Sequence, residues 1–274
     1  MSLLIFDSVT IIPPEARGRA AIAASHGGEY AAYCAAKAGV KAAILCDAGV
    51  GRERAGIGGL SYLDKLGVPA ASIGHRSARI GDGEDCLVRG VISHVNDAAR
   101  RAGAIEGMTA RMALEKLEAS DLPACPEPPP MHETRHEIAE ASADGVRVFA
   151  LDSNALVTRD DVGQIIVTGS HGGLLGGRIA TAVKYDVFAA LYNDADFGAD
   201  NAGISRLPAL GARNIAGATV SAWSARIGDG RSTYRDGYVT AINGRAARCG
   251  AEIGISTIEL VARLVAARVK ELKK

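Results

Sequence analysis

The feature that most constrains this chain is a seven-residue segment, SARIGDG, that occurs at positions 77–83 and again at 224–230. Further segments recur at offsets of 144 to 147 residues. These pairs are FDS at 6–8 and LDS at 151–153, SHGG at 25–28 and 170–173, CDAGVGRERAGI at 46–57 and NDADFGADNAGI at 193–204, LDKLG at 63–67 and LPALG at 207–211, and GVISHVN at 90–96 and GYVTAIN at 237–243. Two long copies in tandem predict a duplicated unit and not a solenoid of many short repeats.

Within each copy, short apolar runs alternate with stretches of helical character. AAIAAS at 20–25 and KAAILC at 41–46 predict buried strands, and EYAAYCAAKAG at 29–39 predicts a helix that ends at its glycine. Strands that alternate with helices form mostly parallel sheets covered by helices. We therefore expect an α/β protein of two tandem homologous units, each a mostly parallel sheet with flanking helices, packed as a pseudo-two-fold dimer.

The boundary between the copies lies in a proline-rich stretch. PACPEPPP at 123–130 is incompatible with a regular helix or a central strand, and RHEIAEASADGVRVFALDS at 135–153 has the pattern of a β-hairpin. We expect a first α/β repeat at 1–120, a linker at 121–134 and a second α/β repeat at 135–274, which ends in a helix.

Composition excludes several classes of function. The formal net charge is zero and aromatic residues make up 4%, which disfavours a nucleic-acid groove or base-stacking surface. No apolar stretch approaches the roughly 18 residues of a membrane span, and the N-terminus does not resemble a signal peptide. The five cysteines form no C-x-x-C pair. We expect a cytoplasmic protein that binds neither nucleic acid nor membrane.

Motifs for cofactors and metals are sparse. The chain has no G-x-G-x-x-G, Walker A or G-x-S-x-G pattern, so we expect no cofactor. HETRH, from His132 to His136, formally matches the zinc-protease signature H-E-x-x-H. That signature needs a helix, whereas prolines precede this segment and its pattern predicts a strand. A zinc hydrolase that uses His132 and His136 is therefore a disfavoured alternative, and we predict no metal ligands.

Three repeated motifs come directly after predicted strands, where open parallel sheets bind ligands. His26 and His171 stand in SHGG and can transfer protons near neutral pH. Asp47 and Asp194 come after the next strand. Their carboxylates could act as general bases, and the structural alternative is that they cap the following loops. His75 has no counterpart in the second copy, which suggests that the first copy carries more of the acid–base chemistry. These five residues are the predicted catalytic set.

Residues around these motifs are candidates for substrate binding. We expect SHGG to open a helix after a strand in both copies. Glycine amides at such a helix start and the planar guanidinium of arginine both suit an anion. The alternative is structural, with serine caps, tight turns and arginines paired to nearby aspartates. The candidates are Ser25, Gly27, Gly28, Ser77, Arg79, Asp82, Ser170, Gly172, Gly173, Ser224, Arg226 and Asp229.

Together these patterns predict an enzyme that acts on a small anionic or polar metabolite by acid–base chemistry, at strand-end loops between the two repeats. Hydrolysis of an amide-like bond is the first hypothesis, and isomerisation or elimination at the same site is the second. A non-catalytic small-molecule-binding protein or subunit is the third, and a homo-oligomer fits all of them. Convergence of His26, Asp47, His75 and Arg79 in one cleft would favour an enzyme, and scattered positions would count against it.

Overall fold

The computed structural model describes residues 3–273, which contain two β-sheets. The first sheet has the strand order β1-β2-β3-β4-β5, in which β1 to β4 run parallel and β5 is antiparallel to β4. Its strands are nearly all apolar, as expected for a sheet that is covered on both faces. They are β1 (Leu4–Phe6), β2 (Ala20–His26), β3 (Ala42–Cys46), β4 (Ala70–Ile73) and β5 (Ile92–Val95).

The second sheet has the strand order β11-β10-β9-β8-β7-β6. Strands β7 to β10 run parallel, and the two outer strands are antiparallel to their neighbours. The pairing of β6 with β7 confirms the predicted hairpin. The strands are β6 (Arg135–Glu137), β7 (Val148–Leu151), β8 (Ile165–His171), β9 (Ala189–Asn193), β10 (Ala216–Val220) and β11 (Val239–Ile242).

Helices flank both sheets, which confirms the α/β class with two mostly parallel sheets. No helix within residues 3–273 is long and apolar enough to cross a membrane. The helices are α1 (Glu29–Lys37), α2 (Gly58–Lys65), α3 (Gly83–Arg89), α4 (Asp97–Arg101), α5 (Ala110–Ala119), α6 (Arg206–Ala212), α7 (Gly230–Asp236), α8 (Gly244–Arg248) and α9 (Thr257–Leu272).

Alternation along the strands places the cores. In β2 and β3, Ile22 and Ile44 pack toward α3 and α5, whereas Ala23 and Leu45 pack toward α1 and α2. Successive side chains of a strand point to opposite faces, so each apolar strand contributes to two cores. The second sheet has the same arrangement, with α7, α8 and α9 on one face and α6 on the other.

The chain continues differently after the two SHGG segments. After β2, the chain enters α1 directly, with Gly28 as its N-cap. After β8, residues 174–182 instead form two short 3-10 turns, Leu175–Gly177 and Ile179–Thr181. The prediction that both copies open a helix is therefore wrong for the second. Gly176 and Gly177 both have positive φ there, and consecutive left-handed residues interrupt an α-helix.

Loops at the carboxyl ends of the strands join the two sheets. The backbone amide of Arg52 donates to the carbonyl of Ala222 (2.8 Å), and the amide of Ala199 donates to the carbonyl of His75 (2.7 Å). Two ion pairs also join the loops of the two sheets, and each sheet contributes the arginine of one pair and the carboxylate of the other. They are Arg226 with Glu53 (3.1 Å) and Arg79 with Asp200 (3.6 Å).

The glycine at this junction gives a direct test of the contact. A Cβ atom on Gly51 would lie 2.6 Å from the Ala222 carbonyl oxygen, whereas one on Gly67 would meet nothing within 4 Å. Gly67 has φ 71°, whereas Gly51 combines φ 66° with ψ −170°, a conformation that is essentially restricted to glycine, so backbone strain and the close carbonyl both oppose alanine at Gly51. We expect Gly67→Ala to lower the free energy of unfolding by about 1 kcal/mol. Gly51→Ala should cost roughly 1–3 kcal/mol more in urea denaturation. Equal costs would contradict the close approach of the sheets.

Candidate functional site

A cavity of about 350 Å³ lies between the carboxyl ends of the two sheets. Ser25 and His26 reach it from the end of β2, and Ser170 and His171 reach it from the end of β8. Loops after β1 and β7 complete much of its wall. The volume suits a small metabolite, and the position is the edge at which parallel sheets bind ligands.

The two histidines of the cavity are held in the same way. Nδ1 of His26 accepts a hydrogen bond from the amide of Gly28 (3.2 Å), and Nδ1 of His171 accepts one from the amide of Gly173 (3.1 Å). A neutral imidazole has one donor and one acceptor nitrogen, so the proton of each ring sits on Nε2. The chain thus positions two imidazole N–H donors at the cavity.

Glycines of the opposite SARIGDG segment cover these rings. A Cβ atom on Gly228 would lie 3.3 Å from Cε1 of His26, and one on Gly81 would lie 3.5 Å from Cε1 of His171. Both glycines have φ above +80°, where other residues are strained. The repeated motif therefore supplies a turn that lets the backbone of one unit approach the histidine of the other.

Burial keeps both rings uncharged. It lowers the pKa of His26 to about 4. Burial also lowers the pKa of His171 well below 6.5, and the positive charge of Arg206 lowers it further. At physiological pH each ring is consequently a neutral hydrogen-bond donor. A neutral imidazole in this state can polarise a carbonyl oxygen without delivering its proton.

Glu133 and Asp152 are carboxyl residues that line the cavity, and the sequence patterns did not single out Glu133. Burial raises its pKa to about 7, and the negative charge of Asp152 adds to this rise. A carboxyl that titrates near neutrality is suited to general acid–base catalysis. Glu133 belongs to HETRH, but its neighbours are Tyr30 and Cys34 of α1 and Asp152 and Ser153 after β7, which are distant in sequence, so no local pattern encodes its burial.

The HETRH segment itself is extended. Residues Arg135–Glu137 form β6, which confirms the predicted strand, and His132 is exposed. The helix on which H-E-x-x-H ligands share a face is therefore not formed. Within the described part of the chain, no group of three or more His, Cys, Asp or Glu side chains is placed to hold a metal ion.

His75 and Asp47 lie outside the cavity, in a bridge between the sheets. Nδ1 of His75 contacts Asp47 Oδ1 (2.9 Å), and Nε2 contacts Asp196 Oδ2 of the second sheet (2.9 Å). The hydrogen bond to Asp47 raises the pKa of His75. Burial of Asp47 opposes ionisation, but the hydrogen bond and charge of His75 leave its pKa lowered. This imidazolium holds two carboxylates from different sheets together.

Asp194 occupies the matching loop without such a cation. Its Oδ1 accepts backbone hydrogen bonds from Ala222 (2.8 Å) and Asp196 (2.9 Å). Burial raises the pKa of Asp194, opposite in direction to that of Asp47. Both aspartates cap their loops, and neither lines the cavity.

The polar residues of SARIGDG are all engaged by the fold, in part within their own motif. Arg79 contacts Asp82 (3.0 Å), and Arg226 contacts Asp229 (2.9 Å). Asp82 and Asp229 also cap the N-termini of α3 and α7. The hydroxyls of Ser77 and Ser224 each accept a backbone amide and donate to a backbone carbonyl.

A second cavity of about 380 Å³ adjoins the first and shares His26, Tyr30 and Gly228 with it. Gly28, Arg226 and Asp229 line this second cavity. On the other side of the junction, the segment after β8 packs directly on the first SARIGDG, and a Cβ atom on Gly81 would clash with the carbonyl oxygen of Leu174.

Backbone and hydroxyl groups of the SHGG segments are largely used by the fold. The amides of Gly27 and Gly172 donate to the carbonyls of Cys46 (2.6 Å) and Asn193 (2.8 Å). The hydroxyl oxygens of Ser25 and Ser170 accept backbone amides at 3.0 and 2.8 Å. These groups shape the cavity wall, which leaves the histidine rings as the donors that SHGG offers to a ligand.

The predicted residues thus separate into three places. Ser25, His26, Ser170 and His171 share the cavity, whereas His75 and Asp47 form the bridge and Arg79 belongs to an ion-pair network. The expected convergence of His26, Asp47, His75 and Arg79 does not occur, because His75 turns toward Asp196. This separation counts against the enzyme that the sequence predicts, with His26, Asp47, His75 and Arg79 acting together, so any catalytic proposal has to rest on other residues of the cavity.

No protein-family model matches the chain, and neither a curated protein nor a solved structure shows significant similarity to it. Function therefore has to be inferred from the cavity and its chemistry.

The bridge predicts a specific pH dependence of stability. The pKa of His75 is raised on folding, so its contribution is complete below 6.5 and is lost as pH rises through the folded value. The pKa of Asp47 is lowered, so its contribution is present above 3.8 and is lost as pH falls through the folded value. We expect His75→Gln to lower the free energy of unfolding by roughly 2–4 kcal/mol near pH 5–6, and by less at higher pH.

His132→Gln is the control for this measurement. His132 is exposed and, within residues 3–273, takes no part in the contacts that join His75 to Asp47 and Asp196. Denaturation of both variants between pH 4 and 9 should show a pH-dependent loss for His75→Gln alone. A loss that is constant across this range would rule out the charged bridge.

The cavity histidines should behave differently from His75 in solution. Long-range ¹H–¹⁵N correlation spectra at pH 6 should show His26 and His171 as neutral Nε2–H tautomers and His75 as a cation, because burial opposes charge on the first two. Spectra of His26→Gln and His171→Gln assign the signals. Titration of His26 near 6.5, rather than near 4, would show that its ring is not desolvated.

Proposed function

We propose that this chain is an enzyme that acts on a small anionic or polar metabolite by acid–base chemistry in the cavity between its two α/β units. One observation carries the proposal: Glu133, a carboxyl whose pKa is raised to about 7, shares a cavity with two neutral histidines. A base that titrates near neutrality beside preorganised N–H donors is a combination that proton transfer requires.

We also propose that the two units are products of a tandem duplication, packed as a pseudo-two-fold dimer. The reciprocal contacts support this view, because Arg52–Ala222 and Ala199–His75 exchange units at the sequence offset of the repeat. The pairs Arg226–Glu53 and Arg79–Asp200 are related in the same way. Under this proposal the cavity lies on the pseudo-symmetry axis, where both SHGG segments meet.

Proton abstraction beside a carbonyl group is the reaction that this geometry supports best. The Glu133 carboxylate takes the proton from carbon, and the Nε2–H groups of His26 and His171 stabilise the negative charge that develops on the carbonyl oxygen. Return of the proton at another position gives isomerisation, and loss of a leaving group gives elimination. Ser25 and Ser170 act as neither nucleophile nor base in this scheme, since their oxygens accept backbone amides.

Hydrolysis of an amide-like bond is the second candidate. Glu133 is only half-buried, so water can reach its carboxylate and be activated there for attack on a carbonyl. The same two imidazole donors would stabilise the tetrahedral oxyanion. The two candidates differ in their products, because only hydrolysis cleaves the substrate with addition of water.

Solvent hydrogen exchange tests the proposal on any small carbonyl compound that the cavity accepts. Carbonyl metabolites are incubated with the protein in deuterated water, and proton NMR follows deuterium uptake at carbon and cleavage of the compound. We expect the rate to rise with pH through about 7, because the base is the ionised form of Glu133. Glu133→Gln should lower the rate by roughly 100- to 10,000-fold.

Glu127→Gln is the control, since Glu127 is an exposed carboxylate of the same linker that does not line the cavity. It should leave the rate unchanged. A rate that Glu133→Gln does not alter would refute the role of Glu133. Binding of a metabolite with neither exchange nor cleavage would favour the non-catalytic binding protein.

A further inference from the structure

A buried arginine without a counter-charge lines the cavity. Arg206, the first residue of α6, is 3% exposed. Its Nε donates to the carbonyl of Gly173 (2.9 Å), and its Nη1 donates to the carbonyls of Thr181 and Ala182 (2.5 Å each). Within residues 3–273, the ion pairs within 4.0 Å do not include this guanidinium. Its partners are all neutral.

Such a cation is costly to bury. Carbonyl dipoles and the ring of Tyr192, 5.1 Å away, offset part of the lost hydration, but no carboxylate of residues 3–273 forms an ion pair with the guanidinium within 4.0 Å. The neighbouring histidine, His171, is held neutral and adds no charge of either sign. An anion that enters the cavity would supply the missing partner.

The shared fold does not require this arginine. At the repeat offset of 147 residues, the first unit has Gly59 in the corresponding position, and a Cβ atom there would lie 2.6 Å from Cβ of Ala32. Helix α1 thus fills the space in the first unit that Arg206 and the 3-10 turns fill in the second. Arg206 therefore gives the cavity a cation for which the first unit has only Gly59 at the corresponding position.

Carboxyl groups and a second cation line the same cavity as Arg206. Glu133 lies near Tyr30 and Cys34 of α1, since its negative charge contributes to the raised pKa of both. Lys184 also lines the cavity, and its ammonium group sits over the ring of Tyr185 (5.2 Å). The base therefore comes from the linker beside α1, and the two cations come from the second unit.

We infer that the ligand of this cavity is a small oxyanion, a carboxylate or a phosphate ester, whose charged group binds Arg206 and Lys184 while its reacting end lies beside Glu133. This inference deepens the proposed function and rests on it for the role of Glu133. Because Nε and Nη1 donate to backbone carbonyls, Nη2 is the guanidinium nitrogen left to donate to an oxygen of either group, beside the Lys184 ammonium. Under this assignment His26 and His171, which line the same cavity, donate to the carbonyl of the bound molecule.

The test uses unreactive probes on the intact protein: succinate, inorganic phosphate and the neutral succinamide. Binding is followed through the assigned ¹H–¹⁵N signals of His26 and His171 and through the thermal midpoint. We expect succinate or phosphate to shift the His171 signal in a saturable way at millimolar concentration and to raise the midpoint. Whichever of the two anions binds identifies the charged group, and succinamide should do neither.

Two lysines offer a matched pair of variants. Lys184 and Lys37 are both exposed and both stack on a tyrosine ring, at 5.2 and 5.9 Å, but only Lys184 lines the cavity. Lys184→Gln should weaken binding of the anion about two- to fivefold, and Lys37→Gln should leave it unchanged. Arg206→Lys should weaken it roughly 10- to 100-fold.

The outcomes separate this inference from the proposed enzyme. Arg206 also donates to three backbone carbonyls. If Arg206→Lys unfolds for that reason, the test rests on the two lysine variants and on the titration of the native protein. Equal shifts with succinate and succinamide, no binding of either anion, or equal effects of Lys184→Gln and Lys37→Gln would overturn the inference. Anion binding without hydrogen exchange would refute the enzyme alone, and exchange on neutral ketones without anion binding would refute the oxyanion ligand alone.

Discussion

The structure depends on the contact between the carboxyl edges of its two sheets. At each edge, a glycine of the opposite SARIGDG segment lies against the ring of a cavity histidine. Gly81 and Gly228 make the approach close enough, because no side chain separates the backbone from the ring. The neutral histidines, the raised pKa of Glu133 and the cavity itself all result from this one desolvated junction.

Local patterns predicted most of the fold. Strands β2 and β3 are continuous apolar runs that end in polar motifs, and α1 ends before Gly39. The length of these runs and the glycine after the helix were sufficient to predict the three elements. The failure after β8 has an equally local cause in the paired glycines, Gly176 and Gly177. The repeat suggested that the second copy would fold like the first, but backbone conformation depended on the residues present in each copy.

The candidate site was harder to predict. The expectation that strand-end loops meet led to His26 and His171, because the carboxyl ends of parallel strands share an edge. The role of His75 depends on Asp196, which lies 121 residues further along the chain, so no spacing could reveal it. Glu133 was visible only as part of a metal motif. Its pKa depends on burial by distant segments, which sequence patterns do not report.

Each cavity histidine is covered by a glycine of the opposite unit. The cavity is therefore complete only when both units have folded and are in contact. A growing chain that has completed only its first unit already contains His26, yet it lacks Gly228, Arg206 and the wall that encloses a ligand. Under the proposed function, chemistry begins only after synthesis and docking are complete. A molecule in which the two sheets are not yet in contact would, on the same proposal, lack the enclosed cavity and its activity.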